Sequence, residues 1–286
     1  VFRDIKTEQY LGGAVAIAKH LSQFCKKIKL LSVLGEKKEF LGEIKKGIPK
    51  NINYEFITKK NSHTILKKRY IDNLSLNKVL GVYKLNDDPL AVKEENILNK
   101  KLKKIIKKFD LVIVSDYGHG FISKKSANII CSNSKYLAVN AQINAANIGT
   151  HSIRKYHNVN CLIINESELR HEMRQREGDI EKMAIVLKGL VNSKYIAVTQ
   201  GKNGAFLING NKMSETSPGF ATQVIDKIGS GDALLALLSV CLYSGIKENL
   251  SLFIASIAAA QSVESIGTSK PVSKVLLLKT ISHLLK

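Results

Sequence analysis

The stretch from Val224 to Gly245 constrains this chain most, because it joins a flexible turn to a helix with no polar face. Gly229-Ser230-Gly231 ends in a carboxylate, Asp232. From Ala233 to Tyr243 almost every residue is apolar, up to the helix terminator Gly245. Such a helix must be buried between other layers. A glycine turn opening a buried helix gathers unpaired N–H groups at the positive end of the helix dipole, where anions and phosphates above all are favoured. A carboxylate beside an anion site is poorly placed unless it is there to take a proton. The pattern suggests a base that activates a hydroxyl while the N–H groups hold the charge on a phosphoryl group in transfer. A capped helix, with Asp226 or Ser230 as N-cap and Asp232 favourably near the dipole, accounts for the same residues on its own.

The rest of the chain supplies layers that such a helix can be buried against. Gly12-Gly13 precedes a helical pattern with apolar positions Ala14, Ile17, Ala18, Leu21 and Cys25. The two glycines serve either a close approach of ligand to backbone or a tight turn. Ile28–Leu34 reads as a buried strand, and Val92–Phe109 as an amphipathic helix with a solvated lysine face. Asp110–Val114, Tyr136–Asn140, Cys161–Ile164 and Tyr195–Thr199 are short apolar strands alternating with helical segments. That alternation predicts a parallel sheet covered by helices on both faces, with ligands bound beyond the carboxyl ends of its strands.

Between Ile52 and Asp87 the character changes. Ile52, Tyr54 and Phe56 alternate with Asn53 and Glu55, and Thr64–Ile71 and Lys78–Leu85 are two further strand candidates. This block reads as a small half-solvated sheet beside the active site, a lid. Val1–Ile5 reads as a strand remnant. The expected plan is one domain over residues 1–286, with the lid from 1–10 and 53–87 and the core from 11–52 and 88–286.

Composition removes several function classes. The longest apolar runs, Ala233–Tyr243 and Leu252–Ala260, are too short to span a bilayer, and no charged leader precedes an apolar segment, so no membrane partner and a cytoplasmic location are expected. The four cysteines (Cys25, Cys131, Cys161, Cys241) show neither metal nor disulfide spacing, which suits a reducing compartment. The net charge of +20 invites a nucleic-acid reading, but only six of the 44 basic residues are arginine and the lysines are dispersed, so no nucleic-acid partner is expected. A P-loop, a protein-kinase signature set and a dinucleotide fingerprint are all absent from the sequence, and the seven histidines form no ligand-spaced cluster.

Three more motifs have two readings each. Asn165-Glu166-Ser167-Glu168 is a capping box, or places Asn165 and Glu168 near a magnesium–phosphate cluster through water. Gly201-Lys202-Asn203-Gly204 is a turn into Ala205–Asn209, or lies along a nucleotide. Ser115-Asp116-Tyr117-Gly118-His119-Gly120 is a strand-exit turn, or a substrate contact.

Together these residues resemble the ribokinase-like family of carbohydrate kinases. Asp226-Lys-Ile-Gly229-Ser230-Gly231-Asp232 is similar to that family's Asp-x-x-Gly-Ala/Ser-Gly-Asp signature, Gly12-Gly13-Ala14 to its N-terminal Gly-Gly element, and Asn165-x-x-Glu168 to its Asn-x-x-Glu element. Order and spacing agree along essentially the whole chain. Thr64-Ile-Leu-Lys67-Lys-Arg69, Ser115-Asp116-Tyr117-x-x-Gly120 and Ile266-Gly267-Thr268 most resemble the heptose 7-phosphate kinase branch, which makes activated heptose for bacterial lipopolysaccharide and is often joined to a nucleotidyltransferase domain.

The resemblance implies a Rossmann-like core, a β lid that clasps a second subunit, and ATP with magnesium, with room for a monovalent cation. Asp232 would be the base, and the amides of Gly229, Ser230 and Gly231 the anion hole. The nucleotide side would take in Asn165, Glu168, Thr199, Gly201, Gly204, Asp226 and Ser256, with magnesium near Asn165 and Glu168 through water. The sugar or sugar-phosphate side would take in Gly12, Gly13, Lys67, Arg69, Asp116, Asn140 and Gln142. A first strand with a sugar-gripping acid would precede Val1, and a fused nucleotidyltransferase region would suit a chain that does not begin with Met. Ala16 stands where the branch has Asn, Asn140-Ala141-Gln142 replaces Asp-Pro-Lys, His119 replaces a lysine, and Ser256 replaces an Asn. The phosphoryl-transfer elements match while the acceptor pocket is rewritten. The expected activity is that of a D-glycero-D-manno-heptose 7-phosphate kinase or a close relative. A kinase for another sugar or nucleoside, and a degenerate sensing or dimerisation domain attached to a nucleotidyltransferase, are the alternatives.

Overall fold

Helix α1 (Ala14–Leu21) leads into strand β1 (Ile28–Gly35), and α2 (Leu41–Gly47) leads into β2 (Ile52–Lys59). The chain then forms a hairpin of β3 (Leu66–Ile71) and β4 (Lys78–Lys84) before α3 (Val92–Ile105), which ends in a 3-10 turn. The alternation that follows is β5 (Val112–Asp116), α4 (Lys124–Asn133), β6 (Leu137–Ala141), β7 (Cys161–Asn165), α5 (Glu166–Met173), α6 (Ile180–Val191) and β8 (Tyr195–Thr199). Strands β9 (Ala205–Asn209) and β10 (Lys212–Ser217) and helices α7 (Ser230–Tyr243), α8 (Glu248–Val263) and α9 (Lys274–Leu284) complete it. The structure is a computed structural model that describes residues 3, 5–73, 77–143 and 147–285. The expected strand remnant at Val1–Ile5 falls largely outside them.

The central sheet has six strands in the order β10-β9-β8-β7-β6-β5, parallel from β5 to β8 and antiparallel from β8 to β10. Strand β7 explains why such strands are apolar throughout. Leu162 and Ile164 pack on one face with Leu98, Leu102 and Leu187, while Cys161 and Ile163 pack on the other with Leu235 and Ile257. All four β7 side chains are at most 2% exposed. Alternate residues enter separate cores, so neither face tolerates polarity. This is the mostly parallel α/β sheet, covered by helices on both faces, that the alternation of apolar strands and helices predicts.

Helix α7 belongs to the second core, where Ala233 through Leu238 are buried. Its one interior polar residue, Ser239, satisfies its hydroxyl on the Leu235 carbonyl of its own helix. At C′, one residue past the C-cap Ser244, Gly245 adopts φ +74° and closes the helix.

One expected boundary needs correction. The Ile52–Phe56 alternation, assigned to the lid, belongs to β2, which pairs in parallel with β1 from Ile28↔Ile52 to Gly35↔Lys59. As β2 pairs with β1 alone among the described residues, its first half shows the half-buried period of an edge strand: Ile52 packs with Tyr54 and Phe56 in the core around Leu30 and Leu34, Asn53 is exposed, and Ile57 enters the core of Leu98 and Leu102 from the opposite face. A hairpin strand has the same signature, so the period could not separate the two. The antiparallel hairpin β3–β4 is a separate two-stranded sheet, and residues 5–12 form neither helix nor strand. The β1–β2 pair and the six-stranded sheet do not hydrogen-bond to each other. No helix among the described residues is long and apolar enough to cross a membrane.

Candidate active site

A single large cavity of about 2530 Å³ runs along the carboxyl ends of β5, β6, β7 and β8 and continues between β1 and β5. It exceeds the several hundred Å³ of an ordinary small-ligand site because the open edges of β1 and β5 also line it. Its floor is the turn into α7. Gly229 takes φ +91°, and no side chain caps the helix. Asp226 instead accepts the N–H groups of Ile228 at 3.0 Å and Gly267 at 2.8 Å. Ser230 turns its hydroxyl to the Lys227 carbonyl. The first backbone bond of the helix runs from Ala233 N–H to Gly229 C=O. The capped-helix alternative is therefore not realised, and the amides of Gly229, Ser230 and Gly231 stay available at the dipole's positive end. Gly229, Ser230 and Gly231 all line the cavity.

Asp232 lies in the first turn of α7 and lines this cavity. Its carboxylate accepts the Tyr117 hydroxyl at 2.9 Å. Burial pushes the Asp232 pKa up to about 6, and the tyrosine hydrogen bond opposes part of that rise. A carboxylate with a pKa near neutrality and a free lone pair facing a cavity is suited to general-base work.

The other motifs converge on the same floor. Thr268 donates its hydroxyl to the Leu11 carbonyl at 2.8 Å, and Lys19 of α1 reaches the Thr268 carbonyl. With the bond from Asp226 to Gly267, these contacts stitch the Gly12-Gly13 entry to α1, the turn into α7 and the Ile266–Thr268 segment into one surface. Asn165 and Glu168 form a reciprocal capping box at the carboxyl end of β7, with bonds of 2.8 and 3.0 Å. Burial pushes Glu168 up to about 7, so its charge is poorly compensated by the protein alone. No cluster of three or more acidic, His or Cys side chains that could cage a metal occurs among the described residues. Both facts fit a site in which Asn165 and Glu168 would hold a magnesium ion through water rather than cage it directly.

Nearly all the expected site residues line this cavity. They are Gly12, Gly13, Lys67, Arg69, Asp116, Asn140, Gln142, Asn165, Glu168, Thr199, Gly201, Asp226 and the Gly229–Asp232 run. Gly204 and Ser256 do not line it. Gly204, at φ +86°, packs where a Cβ would stand 2.0 Å from the Ser217 carbonyl oxygen, which makes it a turn residue. Ser256 is buried within α8 with its hydroxyl unpaired. Asn140 turns its amide to the Ile163 carbonyl. Asp116, expected to contact the acceptor, is 4% exposed and engaged by Lys155 and the Tyr156 hydroxyl, both at 2.6 Å. It anchors a loop.

The wall opposite Asp232 is cationic. Neither Lys67 nor Arg69 has a carboxylate partner among the described residues, and Lys67 stands 5.8 Å from the centre of the Tyr117 ring. His119 is held through Nδ1 by Asp87 at 2.6 Å, and its Nε2 has no partner. Sequence reasoning named the loop but gave no role to Tyr117, Lys155 or Asn147. Only the position of Tyr117 at a strand exit could have flagged it.

The sequence profile of the pfkB family of carbohydrate kinases matches residues 3–275. The bifunctional protein HldE of Campylobacter jejuni subsp. jejuni serotype O:6 is 28% identical over 275 residues, covering 94% of this chain and 56% of that protein. HldE of Haemophilus influenzae is 24% identical, covering 94% and 55%. The chain thus spans just over half the length of these curated relatives. Among solved structures, phosphofructokinase-2 from Escherichia coli in complex with potassium superposes with a TM-score of 0.76 at 13% identity, covering 99% of this chain and 94% of that one. Ribokinase from Thermotoga maritima gives 0.67 at 19% identity, covering 93% and 85%. At these identities the likeness to the solved structures is one of fold.

Proposed function

The chain belongs to the pfkB family of carbohydrate kinases, phosphotransferases with an alcohol acceptor that use ATP and magnesium, and we propose from this that it phosphorylates a sugar phosphate of the heptose 7-phosphate type. The observation that carries the reading is the pairing of Asp232 with the uncapped amides of Gly229–Gly231 on one cavity floor. In the forward step Asp232 takes the proton of the acceptor hydroxyl, and the amides hold the negative charge on the phosphoryl group. Magnesium, when bound, supplies charge neutralisation between the phosphates, and Asn165 and Glu168 would hold its water shell. Positioning and electrostatics supply most of the acceleration in this chemistry.

Support for a phosphorylated acceptor comes from the cationic wall. Lys67 and Arg69 on β3 line the cavity with no carboxylate partner among the described residues. An acceptor phosphate there would satisfy both. It would lie across the Tyr117 ring from Asp232, leaving the attacking hydroxyl on the far side of the sugar. His119 stands in the role that the branch gives to lysine.

The wider plan is part of the proposal. A strand ahead of Val1 would lie between β1 and β5, whose open edges line the same cavity. The apolar outer face of β3–β4 would pair with a second copy of the chain, and a nucleotidyltransferase region would account for the unmatched length of the HldE relatives.

The test is acceptor-dependent ADP release over a panel of heptose and hexose phosphates and their unphosphorylated sugars, with and without magnesium and potassium. Turnover with a phosphorylated heptose, falling at least ~10²-fold in Asp232→Asn, is expected. Turnover only with unphosphorylated acceptors overturns the acceptor class, and nucleotide binding with no turnover on any acceptor would mean a degenerate domain.

A further inference from the structure

Tyr117 donates to Oδ1 of Asp232 at 2.9 Å, and nothing in the assignments above gives it a task. We propose that Tyr117 is the positioning residue for the base: its hydroxyl fixes Oδ1, so that Oδ2 is the oxygen turned to the acceptor. The inference rests on the kinase reading of the site.

Three independent features hold the tyrosine in this place. Its ring stands against the Gly12-Gly13 turn, where a Cβ on Gly13 would lie in contact with it at 3.4 Å. Its carbonyl accepts the side chain of Asn147 at 3.0 Å, a residue only 2% exposed. The loop is also tied through Asp116, which accepts the Gly118 N–H while Lys155 and Tyr156 hold its carboxylate. A base oriented by a third group is the general design of activated nucleophile sites. The buried charge of Asp116 thus serves the chemistry through the loop that carries Tyr117.

The step balances without any change in the tyrosine. The acceptor oxygen bonds to phosphorus, its proton passes to Oδ2 of Asp232, and the bond from phosphorus to the leaving oxygen breaks with its electrons staying on ADP. Burial and the Asp232 charge keep the Tyr117 hydroxyl well above its ordinary pKa, so it remains a neutral donor.

Other charged groups share the cavity. Lys67 and Arg69 come from β3, Asp116 and His119 from the tyrosine's own loop, and Glu168 from α5. Asp226 and Lys227 precede α7, and Lys19 of α1 is turned to the Thr268 carbonyl. Tyr117 alone among the described residues hydrogen-bonds the Asp232 side chain.

The test compares the chain with Tyr117→Phe and with a chain carrying 3-fluorotyrosine at position 117, whose more acidic hydroxyl is a stronger donor. In the Phe variant kcat should fall about tenfold, with the acceptor KM within about twofold. The acid limb of kcat should move up by about half to one pH unit, because a hydrogen bond to the charged carboxylate is lost. Fluorotyrosine should move the limb down. The titration midpoint of Asp232, read from its carboxyl carbon by NMR, should follow both shifts. Unmoved limbs and midpoints, or a loss confined to KM, overturn the proposal. If the unaltered chain turns over no acceptor, the kinase reading fails by itself. The NMR midpoint then still decides on the tyrosine, with coincident midpoints rejecting its hold on Asp232 and displaced ones supporting it.

Discussion

Lys155 Nζ lies 2.6 Å from Oδ2 of Asp116, and both side chains are shielded from water, at 13% and 4% exposure. Burial raises the Asp116 pKa, but the charges of Lys155 and His151 outweigh it and hold the carboxyl below its usual range. Such a pair is costly to break, because the survivor is a buried charge without a partner.

Lys155→Met should therefore lower stability by about 3 kcal/mol at pH 7, seen as a fall in melting temperature. Asp116→Asn in the same background should recover much of that loss, since no charge is then left uncompensated. Because the folded-state pKa of Asp116 is depressed, the stability it contributes is present above the unfolded carboxyl range and is lost as the pH falls through the folded value. A melting series from pH 7 down to pH 3 should show the difference between parent and Lys155→Met shrinking.

Glu168 separates metal support from helix capping. Glutamine at this position can still accept the Asn165 N–H, as the capping box allows either side chain. Glu168→Gln should keep the melting temperature within a few degrees and raise the magnesium concentration needed for ATP turnover by about 10- to 100-fold. A magnesium titration of ADP release reads it directly. An unchanged magnesium dependence would leave Glu168 with capping alone.

Asp232 should trade stability for chemistry. Its folded pKa of about 6 lies above the unfolded value, so its favourable contribution is complete below the unfolded pKa and lost as the pH rises through 6. Asp232→Asn should then be more stable than the parent at pH 8 by about 3 kcal/mol, with the gain disappearing near pH 4. Turnover should fall at least ~10²-fold in the same variant. Equal melting curves at pH 8 would show that the buried charge is already compensated.

The outer face of the lid should set the oligomeric state. Tyr70, Leu80 and Val82 are 41%, 53% and 51% exposed, and Tyr70 pairs directly with Leu80 across the hairpin. A two-stranded hairpin with an apolar face is marginal alone. Leu80→Lys with Val82→Lys should convert a dimer to a monomer in sedimentation velocity without changing nucleotide binding. A monomeric parent chain would dispose of the pairing.

Much of this was legible in local pattern. The glycine turn and apolar run of α7, the short apolar strands from β5 to β8 and the Asn165–Glu168 box were readable because each signature lies within a few neighbouring residues. The assignment of Ile52–Phe56 to the lid failed because an edge strand of a parallel pair and a half-solvated hairpin strand share the same period of two. Asp116 was read as an acceptor contact because its partners Lys155 and Tyr156 lie some 40 residues away in the chain, with no pattern that links them.

The sequence by itself determined which segments must be buried and where anions are welcome, since apolar period and helix-terminal amides depend on local chemistry. Tertiary structure alone decided what each polar group at the cavity does. Asp116 became an anchor, Tyr117 came to rest on Asp232, and Lys67 and Arg69 were left without carboxylate partners among the described residues. Those outcomes depend on which side chains meet across the sheet and on how much water remains between them, and packing of distant segments sets both.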